Sequence, residues 1–269
     1  MIVIGERINA SNKTVGEAIA RRDGDFIASL AKTQTESGAD FIDVNAGDGQ
    51  YEGTQGKAAM QWLVDTVQAV TDKPLAIDSD NPEIIEAGLQ AYRGEKMFIN
   101  SVTAEPDKLK AIGPLAAERQ AWLVALSMGT DGIPDNVEQR LKACEKIATQ
   151  LSKMGVEMEQ IFFDPLVLPI SVDSRQGMVT LGTIQEIKSR YPGARTVVGL
   201  SNVSYGLPNR KLINRSFLLM AVHAGLDAAI LDPLDGKMMS LVKIADMLTG
   251  KDVSCRAYMR AHRRGRIVG

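Results

Sequence analysis

The stretch Leu75-Ala76-Ile77-Asp78-Ser79-Asp80-Asn81-Pro82-Glu83-Ile84-Ile85 passes from an apolar run through a carboxylate-rich turn into a helix start. Leu75 to Ile77 has the length and composition of a strand buried on both faces, as parallel strands are. Asn81 is a capping residue, Pro82 fits the first helical position, and Glu83 faces the positive end of the helix dipole. The segment is therefore one βα unit, and Asp78 and Asp80 lie in the turn between its halves.

The unit recurs along the chain. Apolar runs at Ile2 to Ile4, Phe41 to Val44, Met97 to Ile99, Trp122 to Leu126, Ile161 to Phe163, Thr196 to Val198 and Ala229 to Leu231 complete a set of eight with Leu75 to Ile77. Helical periodicity fills the intervals, most clearly at Val15 to Ser37, Ala58 to Val70 and Val137 to Met154, and Asp135 ahead of Asn136 and Val137 reads as a second cap. Strict β, α alternation implies a parallel sheet with right-handed crossovers. A length of 269 residues suits a single (β/α)8 TIM barrel, one domain over residues 1–269. The open doubly wound alternative lacks its dinucleotide fingerprint. The nearest approach, Gly47, Gly49 and Gly53, has Glu52 where the third glycine belongs, and it reads either as a flexible segment over the barrel mouth or as a surface turn.

Composition removes several functional classes. Apolar residues at 45% and charged residues at 24% are ordinary globular usage. A net charge of -2, with no sustained basic stretch before the C-terminus, leaves no footprint for nucleic acid. The terminal RAHRRGR run, Arg260 to Arg266, reads as a solvated end. No segment approaches the roughly 18 apolar residues of a membrane span, and the N-terminal run lacks a basic lead, so a cytoplasmic location is expected. Cys144 and Cys255, like His223 and His262, show no metal-ligand spacing, which argues against a disulfide or a protein-bound metal.

In a parallel barrel all strands end on one face, so polar residues just past the apolar runs converge on one pocket. Here they are Glu6, Arg7 and Asn9; Asp43 and Asn45; Asp78 and Asp80; Asn100; Ser127; Asp164; Ser201 and Asn202; and Asp232. Each alone is an ordinary turn or cap residue. Together they form a set of carboxylates and carboxamides with few basic groups, suited to a neutral ligand that presents several N–H donors and a few acceptors. A pterin has that character.

Seven segments carry a family resemblance: IGERIN (Ile4 to Asn9), DVNAG (Asp43 to Gly47), IDSDNP (Ile77 to Pro82), FINSV (Phe98 to Val102), FDPL (Phe163 to Leu166), GLSNVSYGLPNR (Gly199 to Arg210) and LDPLDG (Leu231 to Gly236). In order and over essentially the whole chain, they resemble the methyltetrahydrofolate:corrinoid protein methyltransferases. Dihydropteroate synthase and the folate module of methionine synthase are more distant relatives. The resemblance implies that Asp78, Asn100 and Asp164 hold the pterin's polar edge. It also implies that Asn202 hydrogen-bonds near N5 of the folate, that Gly199 and Ser201 flank it, and that Arg210 lies on the folate side. Glu6 and Asn9 match the motif with less fixed roles.

By the same resemblance the substrate is tetrahydrofolate or 5-methyltetrahydrofolate, and the protein is a homodimer. The D-x-H-x-x-G pattern of corrinoid-carrying domains is missing, because Ala221 precedes His223 by two residues. The corrinoid is therefore expected on a partner, a small corrinoid protein. Two alternatives stand beside this expectation: a noncatalytic pterin-binding subunit, and dihydropteroate synthase, which would need basic residues after the seventh and eighth strands where this chain has SNVSYG and LDPLDG.

Overall fold

The structure is a computed structural model that describes residues 1–47 and 53–269. In chain order its elements are β1 (Ile2–Asn9), α1 (Lys13–Ala20), α2 (Gly24–Glu36), β2 (Phe41–Asn45), α3 (Gly53–Gln68), β3 (Leu75–Asp78), α4 (Pro82–Ala91), β4 (Met97–Val102), α5 (Pro106–Arg119), β5 (Trp122–Leu126) and α6 (Val137–Lys153). There follow β6 (Ile161–Asp164), α7 (Gln176–Arg190), β7 (Arg195–Gly199), α8 (Arg210–Ala224), β8 (Ala228–Leu231), α9 (Gly236–Leu248) and α10 (Arg256–Arg263). The strands pair in parallel in sequence order and β1 closes on β8, giving the eight-stranded barrel expected from the apolar runs.

Side chains alternate along the strands. Outward positions such as Ile42, Val44, Leu75, Ile77, Ile99, Leu123 and Phe163 pack under the helices. Inward positions Ile4, Phe41, Ala76, Phe98, Val124, Phe162, Val197 and Ala228 form a separate core inside the barrel. There Phe98 contacts Phe41, Trp122 and Phe162 edge-on at centroid distances of 4.7–5.2 Å, and the Arg195 guanidinium lies 4.8 Å from the Trp122 ring. The interior is thus filled. Removing the Phe98 ring would cost about 3–5 kcal/mol, the usual range for emptying a buried aromatic site.

Three local expectations are corrected. Val15 to Ser37 is not one helix: the chain breaks at Arg22, whose φ is 55°, and Asp23 restarts it by accepting from the Phe26 N–H. The cap of α6 is Asn136, which accepts from Gln139 N at 3.0 Å; Asp135 lies one residue too early. The first strand runs to Asn9 rather than Ile4, so Glu6 and Asn9 belong to the strand. By contrast Asn81 caps α4 as expected, accepting from Glu83 N at 2.9 Å with Pro82 in the first turn. Of the loop read as a cover for the mouth, residues 48–52 lie outside the described residues. The terminal basic run begins in the last turn of α10 and continues past its end at Arg263; this segment is exposed but anchored, with Asp252 accepting from Ala257 N and Tyr258 N and Val268 N donating to Ser240 Oγ.

Candidate active site

Two residues beyond most of these apolar inward positions, the same alternation brings a polar or small residue to the barrel mouth. Phe41 is followed inward by Asp43 and then Asn45, Ala76 by Asp78, Phe98 by Asn100, Phe162 by Asp164, Val197 by Gly199 and Ile230 by Asp232. On β1 the register against β2 shifts between Gly5 and Ile8, and on β4 the register against β5 shifts between Asn100 and Val102. Bulges commonly re-aim side chains beside functional sites, and both of these sit where site residues are expected. Gly5 makes the first geometry possible, since a Cβ there would stand 2.5 Å from the Gln34 carboxamide oxygen, which is buried and accepts from Arg7 N at 3.0 Å.

A cavity of about 520 Å³ opens at this end, lined by Glu6, Arg7, Asn9, Asp43, Asp78, Gly199, Ser201, Asn202 and Arg210, with Ser11, Asn12 and Ile230. Of the residues anticipated from sequence, Glu6, Asn9, Asp78, Gly199, Ser201, Asn202 and Arg210 meet here. Asn100 and Asp164 do not line this cavity. Asn100 lies beside Asp78 in the β3–β4 register, and Asp164 lies across the barrel on β6, paired with Leu126. Ser11 and Asn12 were not anticipated: Asn12 caps α1 three residues past the end of the IGERIN segment, and that cap position was its only sequence signal.

Asp78 is held from the side by Asn45, whose Nδ2 donates to Asp78 Oδ2 at 2.9 Å. Asn202 sits on a short 3-10 turn, Leu200–Ser204, immediately after β7, with its side chain exposed to the mouth. The Gly199 backbone approaches it so closely that a Cβ would lie 3.2 Å from Asn202 Nδ2. Arg210, in the first turn of α8, clamps this turn from behind by donating to Ser201 O at 2.7 Å and Ser204 Oγ at 3.0 Å. Its role is thus partly structural, fixing the loop that carries Asn202.

Two carboxyls have unusual electrostatics. Burial, reinforced by the Asp232 carboxylate, pushes Glu6 up to about 7; the Ser201 hydroxyl, 3.4 Å from Oε2, and the Arg210 and Arg7 guanidiniums oppose the shift. Burial likewise pushes Asp164 up to about 7, against the Leu166 N–H, 2.8 Å from Oδ1, and the Arg140 charge. Carboxyls poised near neutrality in a concave site are typical of functional chemistry. Among the described residues, no group of three or more His, Cys, Asp or Glu is placed to hold a metal ion, and no helix is long and apolar enough to cross a membrane. His223 is exposed in the last turn of α8, away from these groups.

The family model described as pterin binding enzyme matches residues 5–232. The chain is 34% identical over 269 residues to the methylcorrinoid:tetrahydrofolate methyltransferase of Eubacterium limosum, covering 99% of this chain and 98% of that one. It is also 34% identical over 243 residues to the methionine synthase of Mycobacterium leprae (strain TN), of whose length it spans 20%. Among solved structures, dihydropteroate synthase from Xanthomonas albilineans superposes with a TM-score of 0.66 over 94% of this chain and 93% of that one, at 17% identity. The enzyme from Yersinia pestis gives 0.67 at 14% identity, covering 93% of each chain. At those identities the likeness speaks for the fold. The family match and the end-to-end relative do more, and they fall on the segments that build the mouth: the chain belongs to the pterin-binding enzyme family.

Proposed function

We propose that this protein is a methyltransferase that moves the N5-methyl group between 5-methyltetrahydrofolate and the cobalt of a corrinoid delivered by a separate small corrinoid protein. In this reading residues 1–269 act as one folate-binding domain, in the cytoplasm and as a homodimer. Support comes from the family, from a relative of matching length whose name specifies methylcorrinoid and tetrahydrofolate, and from the mouth described above.

The roles follow from donor and acceptor chemistry. Asp78, Asn100 and Asp164 accept from the pterin's amino and ring N–H groups, and the Asn100 amide also donates to the ring's acceptors. Several such partners are needed together, because a polar ring taken out of water must have its hydrogen bonds replaced. Glu6, Asn9, Ser201 and Arg210 shape the side of the cavity toward β1 and α8.

The observation that carries the proposal is Asn202, lining the cavity on the turn that Arg210 clamps and packed close to the Gly199 backbone. A methyl on a tertiary amine leaves poorly because the departing nitrogen anion is strongly basic, so N5 must be protonated or strongly hydrogen-bonded as the bond breaks. Asn202 supplies a hydrogen bond at that nitrogen. Its carboxamide has no proton to give away, so the proton arrives from solvent or through the acidic groups of the mouth. The corrinoid is a second substrate, and the protein's task toward it is to position the reacting centres. A pyrophosphate-releasing reaction fits less well, because the Arg210 donors are directed at the protein's own loop.

The test is anaerobic spectroscopy with free cob(I)alamin and 5-methyltetrahydrofolate, following loss of the Co(I) band. Loss requiring both protein and methylfolate is expected, and Asn202→Ala should slow it about 10²-fold, the usual scale for a transition-state hydrogen bond. Folate binding by calorimetry with no turnover on either free or protein-bound corrinoid would replace the proposal with a noncatalytic pterin-binding subunit.

A further inference from the structure

One buried cation belongs to none of the roles above. Arg140 lies in the first turn of α6 on its inward stripe, in line with Cys144, Ile147 and Leu151, and is 0% exposed. Every acceptor of its hydrogen bonds is neutral: Nη1 donates to Pro165 O at 2.7 Å and Leu166 O at 2.8 Å, Nη2 to Gln176 Oε1 at 2.7 Å, and Nε to Pro134 O at 3.2 Å. Thr180 Oγ1 donates to the same Leu166 carbonyl at 2.9 Å. A buried charge is costly unless well compensated, and a scaffold could join these loops without one.

The loop it grips follows Asp164 directly. Leu166 has a φ of 65°, a left-handed conformation unusual for a leucine, and in that turn its N–H reaches back to Asp164 Oδ1 at 2.8 Å. One carboxylate oxygen is thereby fixed and the other is left for a ligand. Among the described residues, the titratable and charged groups that act on Asp164 are Arg140 and Cys144 of α6; Asp135, in the loop between β5 and α6, acts on Arg140 in turn. Just past β5 lies the neutral Ser127, whose N–H donates to Asp164 O and whose hydroxyl lies 3.1 Å from Cys144 Sγ.

We infer that Arg140 is a positioning residue for the folate site: its guanidinium fork fixes the Pro165–Leu166 turn that orients Asp164, and its charge favours the form of the Asp164 carboxyl that accepts the pterin's N–H donors. This rests on the reading of Asp164 as a folate ligand. The experiment is calorimetric titration with 5-methyltetrahydrofolate from pH 5.5 to 8.5 on the wild type, R140Q, R140K and D164N, with steady-state kinetics and thermal unfolding alongside.

The neutral R140Q should move the pH midpoint of affinity up by about one unit, so that binding weakens about fivefold at pH 7 and less than twofold at pH 8.5, with kcat at saturating folate little changed. R140K keeps the charge but cannot span both carbonyls and Gln176, so it should keep the wild-type midpoint and lose about fivefold at every pH. Rescue of the midpoint by lysine but not glutamine separates charge from packing. A wild-type midpoint in R140Q would overturn the inference, as would lowered melting temperatures with unchanged affinity. If R140Q does not fold, R140K still decides, because wild-type folate affinity in that variant would remove the positioning role. D164N tests the underlying reading separately: wild-type binding in D164N would remove Asp164 from the folate site whatever Arg140 does.

Discussion

Gly199→Ala isolates the placement of Asn202 from its chemistry. The backbone at Gly199, φ -75° and ψ 88°, is open to alanine, so the substitution brings no strain of its own. A Cβ there would lie 3.2 Å from Asn202 Nδ2 and, among the described residues, within 4 Å of no other non-neighbouring atom. Relief requires the carboxamide to retreat by a few tenths of an ångström. A misplacement of 1 Å costs on the order of 10²-fold in rate, so a retreat of this size should cost roughly three- to tenfold in kcat. Stability should hold, because the Asn202 side chain is exposed and the substitution opens no cavity. The assay is cob(I)alamin methylation under saturating methylfolate, with melting temperature as a control. In the double variant with Asn202→Ala, the rate should equal that of Asn202→Ala alone, since alanine at 199 then has nothing to push. Additive losses, or a Gly199→Ala enzyme as fast as wild type beside a slow Asn202→Ala, would refute the idea that this contact sets the asparagine's position.

Three other perturbations test neighbouring claims. Glu6→Gln should stabilise the fold at pH 8 but not at pH 4: the folded value near 7 exceeds the ordinary 4.5, so wild-type stability is full below pH 4.5 and falls as pH rises toward 7. The gain, about 1–3 kcal/mol, is read by denaturant unfolding at the two pH values, and equal gains at both would contradict it. Asp78→Ala should weaken methylfolate binding tenfold or more by calorimetry, through loss of an acceptor and release of the Asn45 amide; normal affinity would place the pterin's edge elsewhere. Arg210→Lys should lower kcat more than it raises the folate KM, because an ammonium cannot hold both Ser201 O and Ser204 Oγ in the same fork; the reverse split would make Arg210 a folate ligand rather than a clamp.

Much of this could be read before the structure, and the reason is periodicity. Eight short apolar runs separated by helical intervals leave few topologies, and a parallel barrel puts every strand's exit on one face. What the runs hide is depth. Whether the last apolar residue points inward or outward decides whether the following carboxylate lines the mouth, and the shifts near Glu6 and Asn100 break the count. Caps were legible to within one residue, as Asn136 beside Asp135 illustrates, because both side chains can accept the same kind of bond. The break at Arg22 was masked by continuous periodicity on either side. Arg140 left a faint trace, an arginine on the apolar stripe of α6, but its partners are backbone oxygens from two other segments and the Gln176 side chain, and only packing brings those together.

The ring stack of Phe41, Phe98, Trp122 and Phe162, with Arg195 laid against it, makes the barrel a blind well. A well with one opening imposes a timetable. If the corrinoid carrier must seat itself over that opening for its cobalt to reach the methyl group, folate has to enter beforehand and cannot depart until the carrier lifts away. Saturating carrier should therefore trap pre-bound folate, and initial-rate patterns should be those of compulsory order, with folate first on and last off.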